Sequence, residues 1–404
     1  MIDIVKDRCV GCSACKSKCP KNCIDLKSNA EGFLYPQIDY KLCVKCGLCE
    51  QVCPVLCKKD VNNYEIKTYA VKSKDEQVRL NSSSGGAFYL FAKYVLENGG
   101  VVFGAAFDEK FKVRHDFIEN LSELGKLQGS KYVQSDIGDN YVKAEKFLQE
   151  GRLVLFSGTP CQVAGLKTYL GKDYENLLAL GLICHGVPSP RAWEKYLAEI
   201  TKEHNSTPQN VSFRHKSKNS DGYGFRVEFT DDKIFYEKQS KNKYLQVFLK
   251  NYCLRLSCYN CNFKNYDALS DIIIGDFWGI ENYLPNFYDE KGISILIVNS
   301  HRGASILKTV KQDKTFCFDI ADRKWGEQGN PMLLFSTPRP IERDIFLTQV
   351  KNKSFVDALK ITETKVARAT KIKIFKEDID AVKQEKGNIY ALLYRLKHFW
   401  KVYF

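Results

Sequence analysis

Eight cysteines near the start of this 404-residue chain stand in two near-copies, Cys9-Val-Gly-Cys12-Ser-Ala-Cys15-Lys-Ser-Lys-Cys19-Pro20 and Cys43-Val-Lys-Cys46-Gly-Leu-Cys49-Glu-Gln-Val-Cys53-Pro54. Both read C-x2-C-x2-C-x3-C-P, the pattern whose thiolates ligate cubane iron–sulfur clusters in pairs, so the first chemistry expected is one-electron transfer. Three thiolates at this spacing wrap one face of a cube, and the fourth cysteine is expected to begin a helix that carries it across to the other cluster. One cluster is therefore assigned to Cys9, Cys12, Cys15 and Cys53, and the second to Cys43, Cys46, Cys49 and Cys19. Zinc is the alternative, because C-x2-C pairs also bind it tetrahedrally. The duplication and the closing C-x3-C-P favour clusters, and disulfides are disfavoured in a chain whose opening residues hold no apolar signal core.

A second group of cysteines lies far from the first. Leu153–Phe156 reads as a short apolar strand, Thr159 as a helix cap and Pro160 as the first helical residue, which puts Cys161 in the first turn. The helix dipole is expected to favour a thiolate there. A second strand, Leu177–Ile183, ends in Cys184-His185-Gly186, and Pro190 opens the next helix. A right-handed crossover between these strands makes them parallel and sets both cysteines at the carboxyl edge of one sheet, where ligand sites gather. Cys258-Tyr-Asn-Cys261 follows in a loop before a strand at Asp271–Ile274. A loop C-x2-C needs two more thiolates, and Cys161 with Cys184 supplies them, so a third cluster is expected. Cys253 reads as a buried structural thiol, and Cys23, Cys57 and Cys317 as non-ligands.

The elements around these residues set the class. The chain has 44% hydrophobic residues, enough for a large core. A polar connector at 58–63 separates a small α+β module, 1–60, from a larger α/β domain with a mainly parallel sheet, 64–346, and a basic, partly helical tail, 347–404. Asn81 to Gly86 precedes an apolar helix from Ala87 to Leu96, with a serine cap expected, and Val101–Phe107 follows as a buried strand. Such a helix start suits a phosphate, although ordinary capping explains it equally well. No GxGxxG fingerprint supports a standard Rossmann NAD site. The net charge of +13 is concentrated in 201–264 and in the tail, without the basic–aromatic pattern of a nucleic-acid binder. The basic knot Arg214-His215-Lys216 suits an anionic substrate or a solvated loop. The last residues, Ala391 to Phe404, are amphipathic; docking on their own domain is the simpler reading, and contact with a membrane surface or a partner the other. With no transmembrane segment in the sequence, a cytoplasmic, reducing and anaerobic setting is expected.

Beyond spacing, Ser84-Gly85-Gly86, the run Gly129-Ser130-Lys131-Tyr132-Val133-Gln134-Ser135, Gly158-Thr159-Pro160-Cys161-Gln162, Cys184-His185-Gly186-Val187-Pro188-Ser189, Cys258-x2-Cys261 and Gly275-Asp276-Phe277-Trp278-Gly279 resemble the coenzyme F420 hydrogenase/dehydrogenase beta-subunit family. The match runs to about Phe346, and the layout is similar to members with a fused two-cluster ferredoxin, some linked with polysaccharide synthesis. The resemblance implies an FAD-binding α/β domain behind a ferredoxin-like module. It also implies a 4Fe-4S cluster on Cys161, Cys184, Cys258 and Cys261 close to the flavin, which makes three clusters in all. For the cofactor it points to Ser84, Gly85, Gly86, Ser130, Lys131 and Tyr132, and for chemistry to Lys131, Asp276 and Trp278. His185, beside a ligand, suits a hydrogen bond to a cluster sulfur or plain packing. The function expected is an iron–sulfur flavin oxidoreductase passing electrons between a ferredoxin or similar carrier and FAD, and hydride between FAD and a small two-electron acceptor. The alternative is an electron-relay subunit of a larger assembly, and an oligomer is compatible with either.

Overall fold

The computed structural model describes residues 1–57, 64–216, 223–266, 270–365 and 368–403. The connector at 58–63, and with it the boundary at 60, lies outside the described residues, as does Phe404. In the N-terminal module a hairpin of β1 (Ile24–Ser28) and β2 (Leu34–Ile38) lies beside two single-turn helices, Ala14–Ser17 and Leu48–Gln51. Each helix carries the third cysteine of its run. The fourth, Cys19 or Cys53, follows a helix instead of beginning one, which corrects the sequence expectation. The reason is local: Ser13 and Gly47, directly after the second cysteine, cap the helices in the left-handed region at φ 67° and 77°, so each turn starts early.

The larger domain is built on one eight-stranded sheet. Its strands are β3 (Lys67–Ser73), β4 (Val101–Phe107), β5 (Val113–Ile118), β6 (Val154–Gly158), β7 (Leu177–Leu182), then, after the segment below, β11 (Ile272–Asp276), β12 (Ser294–Val298) and β13 (Phe316–Ala321), in the order β13-β3-β12-β11-β7-β6-β4-β5. The core strands β4, β6, β7 and β11 run parallel, as expected, and the flanking pairs are antiparallel. Strands covered on both faces are mainly apolar, and Val154 to Gly158 is buried at every position. Between β7 and β11 the chain adds a three-stranded antiparallel sheet of β8 (Pro208–His215), β9 (Gly224–Phe229) and β10 (Ile234–Lys238).

The boundary expected at 346/347 falls inside the helix Glu342–Asn352. Phe346, Val350, Phe355 and Ala358 pack in the same core as Trp193 and Tyr244. The last two helices, Arg368–Lys386 and Asn388–Tyr403, form a hairpin whose Tyr390 ring stands edge-on to Phe335 at 5.3 Å. Ile389 and Leu392 face outward. Among the described residues no helix is long and apolar enough to cross a membrane.

Candidate functional site

Three groups of thiols and one cavity lie close together, and the fold explains how. Cys9, Cys12, Cys15 and Cys53 face a shared space in the module, and Cys19, Cys43, Cys46 and Cys49 face another. Burial, then the neighbouring Cys9 and Cys53, pushes the Cys15 thiol up to about 12, and burial with Cys15, Cys9 and Cys53 raises Cys12 as well. Four clustered thiols, three of them buried, whose anions would repel one another ionise only against a cation or cluster, and the donor chemistry suits one.

Cys23, read as a non-ligand, stands in the second group: its Sγ is 3.3 Å from that of Cys19, and that contact with burial raises it to about 12. Its counterpart Cys57 turns away, its Sγ donating to Gln51 O at 2.8 Å. Cys253 is fully buried in an apolar core, and Cys317 lies on β13.

The third group forms at the sheet edge. Thr159 caps the helix Pro160–Leu170 with a reciprocal box to Gln162, so Cys161 sits in the first turn. Burial, then Cys261 and Cys184, raises its thiol well above the usual range. Cys258 is pushed up to about 12 by burial and Cys184. The Thr159 hydroxyl is 3.2 Å from Cys161 Sγ, and the Val187 amide donates to Cys258 Sγ at 3.5 Å. Lys264, almost fully buried, donates to Cys184 O and Met332 O, both at 2.7 Å.

The module is pressed onto this region. Cys12 packs against Gly165 on the helix bearing Cys161, where a Cβ would stand 2.8 Å from Cys12 Cβ and 2.7 Å from the Tyr141 hydroxyl. Arg255, fully buried, donates to Cys9 O and Leu34 O in the module at 2.7 and 2.8 Å and to Gln134 Oε1 at 2.9 Å; Gln134 in turn donates to Val10 O. Arg343 pairs with Glu31 through both nitrogens at 2.7 and 3.0 Å. Sequence reading missed both arginines. The only signal was a charge inside the apolar run Cys253-Leu-Arg-Leu-Ser-Cys258.

A cavity of about 640 Å³ opens from the third group, with Cys184 in its wall. Ser84, Gly86, Ser130, Lys131, Tyr132, Asp276 and Trp278 all line it, so the candidate residues are gathered, although several are already engaged. Ser84 Oγ donates to Ile293 O at 2.8 Å, and the Gly85 amide donates to Ser294 Oγ at 2.9 Å. Gly85 lies so close to β3 that a Cβ would stand 2.3 Å from Val71 O. Gly86, at φ 100°, is the helix cap in place of the expected serine. Ser130 bonds Ser83 Oγ through its amide and hydroxyl. Lys131 Nζ donates to Lys126 O and Gln128 O, and burial pulls it down to about 7. Tyr132 stacks on Phe248 at 4.8 Å. Asp276 forms a two-point ion pair with buried Arg214, whose guanidinium lies 4.0 Å over Tyr223 and 5.6 Å over Trp278. Lys216 is spent on Arg79 O, Ser84 O and Lys291 O, which ties the Ser84 turn to the loop before β12. His185 Nε2 lies 2.6 Å from Asn251 Oδ1, edge-on to Phe248.

One network is centred on His115, which the sequence did not single out. His115, pulled down to about 4 by burial, is neutral; Nε2 donates to Ser157 O, so Nδ1 accepts from Ser135 Oγ. Gln162 Nε2 donates to the same hydroxyl, and Gln162 Oε1 accepts from the Thr159 amide and hydroxyl beside Cys161.

Comparison with known proteins matches residues 151–324 to the family described as the C terminus of the coenzyme F420 hydrogenase/dehydrogenase beta subunit, and residues 8–57 to the 4Fe-4S dicluster domain. The first range holds the third thiol group and the second holds the other two. A xenon-derivatised structure of the F420-reducing [NiFe] hydrogenase complex from Methanosarcina barkeri aligns with 76% of this chain and 95% of that chain, at 16% identity and a TM-score of 0.44. Residues 8–57 thus form a 4Fe-4S dicluster domain and residues 151–324 a domain of the F420 hydrogenase/dehydrogenase beta-subunit type, which makes the chain an iron–sulfur protein related to hydrogenase and dehydrogenase subunits.

Proposed function

We propose that the chain is an iron–sulfur flavin oxidoreductase that passes single electrons between a carrier protein and FAD, and hydride between FAD and a small organic acceptor. In this reading Cys9, Cys12, Cys15 and Cys53 hold one 4Fe-4S cluster, Cys43, Cys46, Cys49 and Cys19 a second, and Cys161, Cys184, Cys258 and Cys261 a third. FAD would supply the exchange between one-electron and two-electron chemistry.

The observation that carries the reading is the series of contacts. The second thiol group shares the module with the first, the first touches the Cys161 helix through Cys12 and Gly165, and the third walls a cavity of about 640 Å³. That volume lies within the range of small-molecule sites. Lys131 fits the cofactor: its ammonium is desolvated, two carbonyls take two of its protons, and an anion would restore its charge. Ser84 lines the wall with its hydroxyl on Ile293 O, and Gly85 stands behind it with its amide on Ser294. Arg214 and Trp278 would border the acceptor, with Asp276 holding Arg214 in place.

The test is anaerobic reconstitution of the full chain with iron, sulfide and FAD. Bound flavin that is reduced after a chemical reductant has charged the clusters, with dye-linked turnover by the chain alone, is the expected result. Intact clusters without bound flavin would overturn the enzyme reading. Turnover only when a second protein is added would favour the relay role.

A further inference from the structure

The second thiol group is the outermost, and the surface around it is unusual. Cys46 is exposed, whereas Cys12, Cys15 and Cys53 of the first group are buried. Four large apolar side chains of the module are left in water: Val44, which lines the same space as Cys46, and Tyr40 at 57%, Leu42 at 56% and Ile4 at 52%. Three of them alternate along one exposed run, Tyr40 to Val44. Leu42 and Val44 flank Cys43, and the Tyr40 hydroxyl reaches Asp3 Oδ2 at 3.1 Å, which brings Ile4 alongside. Contiguous apolar side chains over a redox centre mark an interaction surface better than scattered ones do.

The charges around the patch say what covers it. Val44, Lys45 and Lys21 line the same space as Cys19, Cys43 and Cys46. Lys21, Lys41 and Lys45 are exposed and make no ion pair among the described residues. The nearby acids are Asp3 and Glu50, which share the N-terminal ammonium, and the exposed Asp39, whose Oδ1 accepts from the Lys41 amide. The rim thus joins apolar side chains to three unpaired lysines set against the one carboxylate of Asp39.

We propose that this face, Tyr40 to Cys46 with Lys21 and Ile4, is the docking surface for a small acidic one-electron carrier protein. The proposal rests on the reading of the second thiol group as a cluster that exchanges electrons. A small apolar patch suits brief contact, since electron-transfer complexes sit at the low end of interface size, and lysines at its rim raise the encounter rate with an acidic partner. The step itself is electron transfer only: the carrier is oxidised by one electron and the second cluster reduced by one, with no bond made or broken.

The test uses the reconstituted full chain and, as probe, a purified acidic two-cluster ferredoxin in its reduced form, with stopped-flow detection of cluster bleaching. The second-order rate of the wild type should fall steeply with ionic strength. Lys41→Glu with Lys45→Glu should lower it about tenfold at low salt, with the gap closing at high salt. Leu42→Gln with Val44→Gln should lower it at every salt concentration. Reduction of each variant by dithionite should match wild type, and the iron content of each reports folding. Rates unchanged in both variants, or a wild-type rate indifferent to salt, would overturn the docking surface. Failure of dithionite to reduce any iron–sulfur chromophore in wild type would instead overturn the functional reading beneath it.

Discussion

At the scale of single residues, the cysteines were legible and the cations were not. Ligand spacing is set by the geometry of a cube, so C-x2-C-x2-C-x3-C-P declares itself in any context. Lys131 was named from a motif, but its environment comes from the fold. Its ordinary value lies near 10.5, and burial in the cavity wall pulls it to about 7. Anion binding needs the ammonium, so with no ligand bound the group loses its charge as pH rises through 7. FAD affinity of wild type should therefore weaken above pH 7, while Lys131→Gln binds about tenfold more weakly at pH 6 and loses that pH dependence; flavin fluorescence quenching measures both. Equal affinity and an equal pH profile in the variant would remove Lys131 from the site. The Arg214 and Asp276 pair shows the opposite limit: both residues were visible in the sequence, but their partnership spans β8 and β11, and no local pattern encodes it.

At the scale of elements, the strand–helix–strand unit from Val154 to Leu182 was readable because every boundary carries its own chemistry: an apolar run, the Thr159 cap, Pro160, and Gly171 in the left-handed region at φ 68°. The antiparallel flanks of the sheet were not readable, since partner choice among β3, β12 and β13 depends on contacts more than two hundred residues apart. Within that helix Gly165 runs against propensity, because alanine would favour the helix by about 1 kcal/mol. Its reason is tertiary: the bare Cα lets Cys12 and Tyr141 approach. Gly165→Ala should thus lower the thermal midpoint and slow electron passage from the N-terminal clusters to the third, read by rapid-freeze electron paramagnetic resonance after mixing with reductant. A raised midpoint with unchanged rates would show that Cys12 and Tyr141 make room without cost.

At the scale of the molecule, two buried arginines join a module the sequence describes as self-contained. Arg343 is 2% exposed and Glu31 is its partner from the module. Glu31→Ala leaves that charge with Asp344 at the rim as its remaining carboxylate, and should cost about 3 kcal/mol, the low end for breaking a buried pair. Urea unfolding followed by cluster absorbance should then show the module separating before the α/β domain; a single transition at the wild-type midpoint would refute the clamp. The central claim is that a third cluster stands between this module and the cavity. Iron and sulfide analysis of the anaerobically reconstituted chain and of Cys258→Ala tests it most directly. The account predicts about twelve of each per wild-type chain and about eight in the variant, with the signals of the N-terminal pair retained; equal iron in the two proteins would contradict it.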